Sequence, residues 1–310
     1  MSSPVTVSFI IPCFNCRATV VETALSALSQ QDSAVEVVII DDGSTDEPEV
    51  ALRDAGLLDR LTFVRQENQG VSAARNHGLS LSNGRYVTFL DADDLVDPRF
   101  ASSMVQLLET RQGRFAYCNY EYFADTAQRP ALNIRYPVRE GHVLGHLLNE
   151  NFIPTPGAVL LERSVLDGLR FDSRLQGTED WWMWMQISIH EPVHYNPEWL
   201  LRIRARAGSL GGQKGGMIRN TAALFEAAET LLDQPTVTLT RQERSRFHYR
   251  TATVLLDAGR PRDAVARWAR AMRRGLGVWY HGALLAKLSL RAAGALRHVD
   301  LALWNRRVRR

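Results

Sequence analysis

The chain has 310 residues, of which 45% are hydrophobic and 23% are charged, and its formal net charge is +3. This length allows one large domain and a smaller one, and the composition is that of an ordinary soluble globular protein. A first strand begins close to Met1 without a signal-peptide pattern, and no uninterrupted apolar run reaches the roughly 18 residues of a membrane-spanning helix. We therefore expect a cytoplasmic protein.

The three cysteines predict neither a disulfide framework nor a metal site. Cys13 and Cys16 have the spacing of a redox or zinc pair, but no second pair completes a zinc site, and Cys118 leaves an odd count. We accordingly assign them no redox or metal role.

Strands and helices alternate over the first 110 residues. Apolar runs predict strands at 5–11, 35–40, 61–65 and 86–90, and helical periodicity predicts helices that begin near residues 20, 47, 71 and 98. Pro12 is expected to end the first strand, because proline cannot continue a central strand. The alternation predicts an α/β fold with a mostly parallel central sheet. Neither Gly-x-Gly-x-x-Gly nor a Walker lysine follows the first strand, which disfavours a dinucleotide dehydrogenase and a P-loop NTPase.

An acidic cluster follows the fourth predicted strand. Asp91, Asp93 and Asp94 come directly after that buried run. Desolvated carboxylates need a cation or hydrogen bonds, so a cluster at the carboxyl end of a strand favours a site for a hard divalent metal such as Mg²⁺. The alternative is an acidic turn in which Asp94 or Asp97 only caps the next helix.

A second acidic motif lies at residues 178–180. Thr178 is a candidate N-cap, and Glu179 and Asp180 would then occupy the first turn of a helix. Carboxylates are favoured there by the helix dipole, so a purely structural role for both is the alternative to a catalytic one.

Five motifs together resemble the family 2 glycosyltransferases of the GT-A fold. They stand in the order of that family at residues 9–15, 39–46, 74–79, 89–94 and 179–181. The resemblance covers roughly residues 4–210. Two departures occur: Phe14 stands where the family usually has tyrosine, and the usual basic residue before a serine could be either Arg204 or Arg206.

The resemblance implies a nucleotide-sugar donor, with a UDP-sugar favoured. Pro12, Phe14 and Asn15 would frame the base. Asp42 would accept from its imide N–H, because a carboxylate pairs with an N–H donor, and Asp41 would support the turn. An Asx-turn that only shapes the loop is the alternative for both aspartates. The resemblance also assigns three further residues to donor binding, namely Arg75, Asn76 and Ala92.

The resemblance further implies an inverting, metal-dependent transfer. Asp93 would bind Mg²⁺ or Mn²⁺ directly, and Asp91 would hold the ribose or the second shell of the metal. Asp180 would be the general base that deprotonates the acceptor hydroxyl, with Glu179 orienting the acceptor or the base. Arg204 and Arg206 would reach the diphosphate from a mobile loop. Three tryptophans are assigned mainly to the core, with one able to stack on a sugar: Trp181, Trp182 and Trp184.

We predict a catalytic domain at residues 1–212 and an all-α helical domain at residues 213–310. Beyond His281 the chain carries seven basic residues against the single acid Asp300. A tail of this kind could contact an anionic membrane, which would suit a glycan or lipid-linked acceptor, although a solvated helix face is commoner. We expect no nucleic-acid partner. Two rival functions are an inactive nucleotide-sugar-binding regulator or scaffold and a nucleotidyltransferase.

Overall fold

The computed structural model describes four stretches of the chain: residues 6–123, 138–153, 155–205 and 214–273. Within these stretches, eight strands form one sheet. They are β1 (Val7–Cys13), β2 (Val35–Asp41), β3 (Thr62–Arg65), β4 (Tyr86–Phe89), β5 (Leu95–Val96), β6 (Phe115–Phe123), β7 (Val159–Glu162) and β8 (Val193–Arg204).

The sheet is mostly parallel, as predicted. Its strand order is β3-β2-β1-β4-β7-β6-β8-β5. Strands β5 and β7 run antiparallel to their neighbours, and the others share one direction. The carboxyl ends of β1, β2, β4, β6 and β8 therefore meet at the same edge, where ligands of open α/β sheets usually bind.

Helices flank this sheet and continue after it. In the described stretches they are α1 (Val20–Leu28), α2 (Pro48–Asp54), α3 (Val71–Leu81), α4 (Phe100–Arg111), α5 (Leu144–Leu147), α6 (Glu179–Ile187), α7 (Lys214–Leu232), α8 (Arg241–Asp257) and α9 (Pro261–Arg273). No helix among the described residues is both long and apolar enough to cross a membrane.

The chain divides into two compact units, Met1–Val237 and Thr238–Arg310. The first unit contains the sheet and also α7, which the sequence analysis grouped with the C-terminal helices. The second contains α8 and α9, which pack against each other. An α/β unit followed by a helical unit agrees with the predicted fold class.

Both faces of the sheet are buried, which explains the continuous apolar runs of its strands. Phe9 and Ile11 belong to the core cluster that includes residues of α1 and α4. Val38 and Ile40 form a smaller cluster with Ala74 of α3. Alternate side chains of the central strands therefore pack against helices on opposite faces.

The prediction that Pro12 ends the first strand is wrong, because β1 continues to Cys13. The Ile10 carbonyl accepts from the Leu90 N–H at 2.9 Å, so the backbone groups of Ile10, and by alternation those of Pro12, point towards β4. β4 pairs with β1 only as far as Phe89, which lies opposite Ile10. The missing N–H of Pro12 therefore costs no bond of the sheet.

The expectation of no disulfide is also wrong. Cys13 and Cys16 are joined, with their Cα atoms 6.0 Å apart. The bond closes a short loop that contains Phe14 and Asn15, and Cys118 is a buried free thiol. The spacing of Cys13 and Cys16 therefore indicated a bonded pair, and the third cysteine, Cys118, does not take part in a disulfide.

The contact between α3 and β1 depends on a residue without a side chain. A Cβ on Gly78 would overlap Cγ2 of Ile10 and lie 3.3 Å from Cγ1 of Ile40. We expect Gly78→Ala to lower the free energy of unfolding by about 1–3 kcal/mol, because the core must shift to accept the methyl group. Urea denaturation measures this change.

The matched control on the same helix is Ser80→Ala, at an exposed position. It should change the free energy of unfolding by less than about 0.5 kcal/mol. Equal effects of the two substitutions would contradict the close packing of α3 on β1.

Candidate active site

A cavity of about 330 Å³ opens at the carboxyl edge of the sheet. It is lined by residues that the sequence analysis placed in three different motifs. These are Arg75, Asp91, Asp93, Glu179 and Asp180, and Arg204 also lines the cavity. The predicted metal ligand and the predicted general base therefore face one space, as a transfer between two bound substrates requires.

The acidic cluster forms a tight turn after β4. The Asp94 N–H donates to the Asp91 carbonyl at 3.0 Å. Asp94 is buried, and its Oδ1 accepts from the Arg204 N–H at 3.0 Å. Burial, together with the charges of Asp91 and Asp93, raises the pKa of Asp94 well above its ordinary value. The turn thus brings three carboxylates together, and the buried one is harder to ionise than an exposed aspartate.

Arg75 joins this turn to the second acidic motif. Its side chain is buried, with 4% of the residue exposed. Nη2 donates to Asp91 Oδ1 at 2.9 Å, and Nη1 donates to Glu179 Oε1 at 2.8 Å. Burial alone would lower the pKa of Arg75, but Asp91, Glu179 and Asp180 outweigh it and the pKa is raised. The guanidinium is therefore a fixed positive charge between two carboxylates.

Helix α6 begins at Glu179 with Thr178 at the N-cap position, as predicted, but the capping hydrogen bond differs. Thr178 makes no capping hydrogen bond, because its hydroxyl donates to the Leu175 carbonyl at 3.0 Å. The Trp181 N–H instead donates to Asp180 Oδ1 at 2.6 Å. Thr178 thus occupies the predicted N-cap position without capping through its side chain, and Asp180 accepts from the first turn instead.

The surroundings of Asp180 suit a proton acceptor. Burial and the charge of Glu179 raise the pKa of Asp180 to about 7, against the opposing effect of Arg75 and the Trp181 N–H. A group with a pKa near neutral pH combines a useful ionised fraction with enough basicity to take a proton. The site thus holds a carboxylate tuned for acid–base chemistry.

Arg204 lies at the end of β8 and not in a mobile loop, so that prediction is wrong. β8 pairs with β6 up to the pair Phe123 and Arg204, and this pairing fixes the residue. Its Nε donates to the Asp93 carbonyl at 2.9 Å, and its Nη2 forms an ion pair with Glu22. Arg206 lies outside the described residues.

The two predicted donor loops are tied to each other. Phe14 is 53% exposed, and Asn15 next to it has a left-handed backbone with φ of 53°. The Asn15 N–H donates to Ser44 Oγ, and Asn15 Oδ1 accepts from the Thr45 N–H, each at 2.9 Å. The exposed ring thus sits on a firmly held loop beside Pro12, at the end of β1.

The aspartates of the second loop hold the loop together. Asp42 accepts from the Gln69 N–H at 2.9 Å and from the Gly70 N–H at 2.8 Å. Asp41 is buried and forms an ion pair with Arg65 at 3.0 Å. These contacts fit the alternative in which both aspartates shape the turn, and the base contact of Asp42 stays a prediction.

Two other predicted donor residues also make internal contacts. The side-chain amide of Asn76 donates to the Phe171 carbonyl and accepts from the Phe171 N–H, both at 2.9 Å. The Ala92 carbonyl accepts from Thr19 Oγ1 at 2.8 Å. Neither residue lines the cavity, so the structure does not bring them together with Asp93 and Asp180.

The end of β4 fits a hard divalent cation. The described stretches contain no group of three or more His, Cys, Asp or Glu side chains that could hold a metal ion. Mg²⁺ bound together with substrate phosphates needs only one or two protein carboxylates. Asp91 and Asp93 both line the cavity, and carboxylate oxygens are the ligands that such an ion prefers. The ligands remain a prediction.

Sequence reasoning missed five residues of the cavity wall. Thr155 lies near Asp91, with Oγ1 3.4 Å from its Oδ2. The other four are Tyr122, Pro156, Gly177 and Ile203. None belongs to a charged motif. Tyr122 and Ile203 could have been found only by knowing that β6 and β8 pair side by side as far as their carboxyl ends.

The family described as Glycosyl transferase family 2 matches residues 8–170, which is more than half of the chain. The chain therefore belongs to this family. The match includes the two predicted donor loops and the acidic turn, and it ends before the motif that contains Asp180.

Relatives with assigned names match shorter stretches. The chain is 35% identical over 114 residues to an Escherichia coli protein, UDP-Glc:alpha-D-GlcNAc-diphosphoundecaprenol beta-1,3-glucosyltransferase WfaP, a stretch that covers 37% of this chain and 45% of that one. It is 31% identical over 121 residues to glycosyltransferase GlyA of Streptococcus pneumoniae serotype 4, covering 39% of this chain and 17% of that one. The chain thus spans less than half the length of these relatives.

Solved structures share the fold over most of the chain. S. aureus TarS 1-349 in complex with UDP-GlcNAc has a TM-score of 0.59 and 16% identity, and the match covers 96% of this chain and 94% of that one. The mannosyltransferase PcManGT from Pyrobaculum calidifontis, in complex with GDP-Man and Mn2+, has a TM-score of 0.59 and 19% identity. This match covers 93% of this chain and 82% of that one. The fold is therefore GT-A.

The buried contacts of Arg75 predict a large loss of stability on its removal. Arg75→Met leaves Glu179 and Asp91 without their cation, so we expect the free energy of unfolding to fall by about 3–5 kcal/mol at pH 7. Urea denaturation followed by circular dichroism measures the change.

Arg53→Met is the matched control, because Arg53 forms an exposed pair with Glu49 one helical turn away. Its removal should cost less than about 1 kcal/mol. A loss for Arg75→Met no larger than that of the control would contradict the bridging role.

Proposed function

We propose that the protein is an inverting, metal-dependent glycosyltransferase that moves a sugar from a UDP-sugar to an acceptor hydroxyl. The observation that carries this proposal is the single cavity shared by Asp93 and Asp180. Support for the donor comes from the UDP-glucosyltransferase name of the Escherichia coli relative and from the UDP-GlcNAc complex of the structural neighbour TarS. The same relative supports a lipid-linked saccharide as the class of acceptor.

In this proposal Asp180 performs the proton transfer. Its carboxylate accepts the proton of the acceptor hydroxyl while that oxygen attacks the anomeric carbon of the donor. The bond between this carbon and the diphosphate oxygen breaks at the same time, and its electron pair leaves with the nucleotide. Attack from the face opposite the leaving group inverts the anomeric configuration without a covalent intermediate.

The charged residues of the cavity would divide the remaining work. Asp93, with Asp91 beside it, would hold Mg²⁺ or Mn²⁺, which when bound supplies positive charge for the departing diphosphate. Arg204 would add its own charge from the end of β8. Arg75 keeps Glu179 and Asp91 in place, so that the base and the metal-binding turn keep a constant separation.

We also propose that the protein works in the cytoplasm, at the surface of the membrane. Helices α8 and α9 carry more arginines than carboxylates, and several of them are exposed, including Arg246, Arg262 and Arg273. Such a surface attracts anionic lipid and would bring the enzyme to a lipid-linked acceptor.

The pKa of Asp180 predicts the pH dependence of transfer. Because only the ionised carboxylate accepts a proton, kcat/KM for sugar transfer should rise with pH through an apparent pKa near 7 and then level off. Glu179→Gln removes the neighbouring negative charge and should move this rise to lower pH. A profile that is flat between pH 5 and 9 would argue against Asp180 as the base.

Asp180→Asn should lower kcat by roughly 10²- to 10⁴-fold, measured as transfer from UDP-sugar at pH 8. The binding of UDP should be unchanged. The variant should also resist urea better than the wild type above pH 7, because the fold raises the pKa of Asp180 and so disfavours its ionised form. This difference should disappear as the pH falls towards 4. Wild-type activity in the Asn variant would refute the assignment.

The predicted metal site can be tested by chelation and by Asp93→Asn. EDTA should abolish the release of UDP from UDP-sugars by the wild type, and excess Mn²⁺ or Mg²⁺ should restore it. Asp93→Asn should need a metal concentration at least about tenfold higher for half-maximal activity, because a neutral amide binds hard cations more weakly than a carboxylate. The control Asp59→Asn changes an aspartate that lies outside the cavity wall and should behave like the wild type. Full activity in EDTA would contradict metal dependence.

A further inference from the structure

Part of the cavity wall is apolar, and the catalytic residues do not account for it. Tyr122 of β6 and Ile203 of β8 both line the cavity and are half-buried. The two residues are paired in the sheet, so their side chains stand next to each other. Pro156 lines the same space. The cavity thus combines a carboxylate and guanidinium lining with a small aromatic and aliphatic surface.

The tryptophans of α6 do not supply an aromatic surface here. Trp184 is fully buried, and its ring lies 5.7 Å from that of Phe115. Trp181 is buried as well, and its indole N–H donates to the Leu147 carbonyl at 2.7 Å. Trp182 does not line the cavity. Within the described residues, Tyr122 is therefore the aromatic side chain of this wall.

A different loop is predicted to hold the nucleobase. Phe14, the exposed ring of the predicted base-binding loop, lies at the end of β1 and does not line the cavity. A diphosphate would be met by charged groups such as Arg204. The apolar surface lies beside carboxylates, so the ligand part that fits it has one apolar face and a polar edge. A pyranose ring has this character, because its C–H face packs on aromatic rings while its hydroxyls reach polar groups.

We propose that Tyr122 is a sugar-binding platform on which the C–H face of a pyranose ring packs, with Ile203 extending the surface. The inference deepens the proposed function, on which it rests. The pyranose is either the sugar of the donor or the terminal sugar of the acceptor, and both present the same chemistry to the ring. The aromatic ring carries the interaction, so phenylalanine can replace tyrosine and alanine cannot.

The test compares the full-length wild type with Tyr122→Ala and Tyr122→Phe in two binding assays. For the donor, calorimetry with Mn²⁺ measures the affinities for UDP, UDP-glucose and UDP-N-acetylglucosamine. For the acceptor, saturation-transfer NMR with UDP and Mn²⁺ present measures binding of methyl β-D-glucoside and methyl N-acetyl-β-D-glucosaminide. Trp199→Ala is the matched control, because Trp199 is an aromatic residue of β8 that is 36% exposed and does not line the cavity.

If Tyr122 contacts the acceptor, Tyr122→Ala should weaken glycoside binding by about five- to tenfold and leave all nucleotide affinities unchanged. If Tyr122 contacts the donor, the same variant should weaken the binding of the UDP-sugars by that factor and leave the binding of UDP unchanged. Tyr122→Phe and Trp199→Ala should stay within about twofold of the wild type in either case.

Two results would overturn the proposal. In the first, Tyr122→Ala and the wild type bind every ligand equally. In the second, the wild type does not bind the glycosides and binds the UDP-sugars no differently from UDP. Both assays measure binding alone. A protein that binds sugars through Tyr122 but transfers none would therefore refute the proposed function and leave this inference standing.

Discussion

The arrangement of the active site depends on the buried ion bridge made by Arg75. The guanidinium on α3 meets Asp91, 16 residues along the chain, and Glu179, 104 residues along the chain. A charge buried to this extent is tolerated only when it is paired, and removing a partner leaves an uncompensated charge in the interior. The bridge therefore fixes the turn after β4 relative to the first turn of α6. Without it, Glu179 would be a buried carboxylate without its cation, and Asp91 would lose its ion pair.

The same bridge sets the electrostatics of the cavity. Burial and the charge of Glu179 raise the pKa of Asp180 to about 7, and Arg75 opposes this effect. The neighbouring acid disfavours the ionised form of Asp180 and the guanidinium favours it, so the two charges change its basicity in opposite directions. Near the other arm of the bridge, the carboxylates of the acidic turn line the cavity where we predict that a cation binds. One buried arginine thus links the predicted base to the predicted metal site.

Much of the fold could be predicted from the sequence, because the central strands are buried on both faces and therefore appear in the sequence as apolar runs. The acidic motifs follow strand ends, so their meeting at one edge of the sheet also follows from the pattern. The role of Arg75 could not be predicted, because a motif places a residue in the chain but does not show which charges it meets. Arg204 was assigned to a mobile loop, since its pairing with Phe123 depends on a strand far away in sequence. The position of Tyr122 in the cavity wall could not be predicted for the same reason. The end of β1 was mispredicted at Pro12, because the missing N–H matters only if β4 is long enough to pair with that residue.

The central claim is that Asp93 and Asp180 act on one donor in a single displacement. The most direct test is the anomeric configuration of the product, determined by proton NMR after transfer from an α-linked UDP-sugar to a saccharide acceptor. We expect a β-linked product, because the activated acceptor would attack opposite the diphosphate held at the predicted metal site. An α-linked product would contradict it, since retention requires either a second displacement or attack from the side of the leaving group.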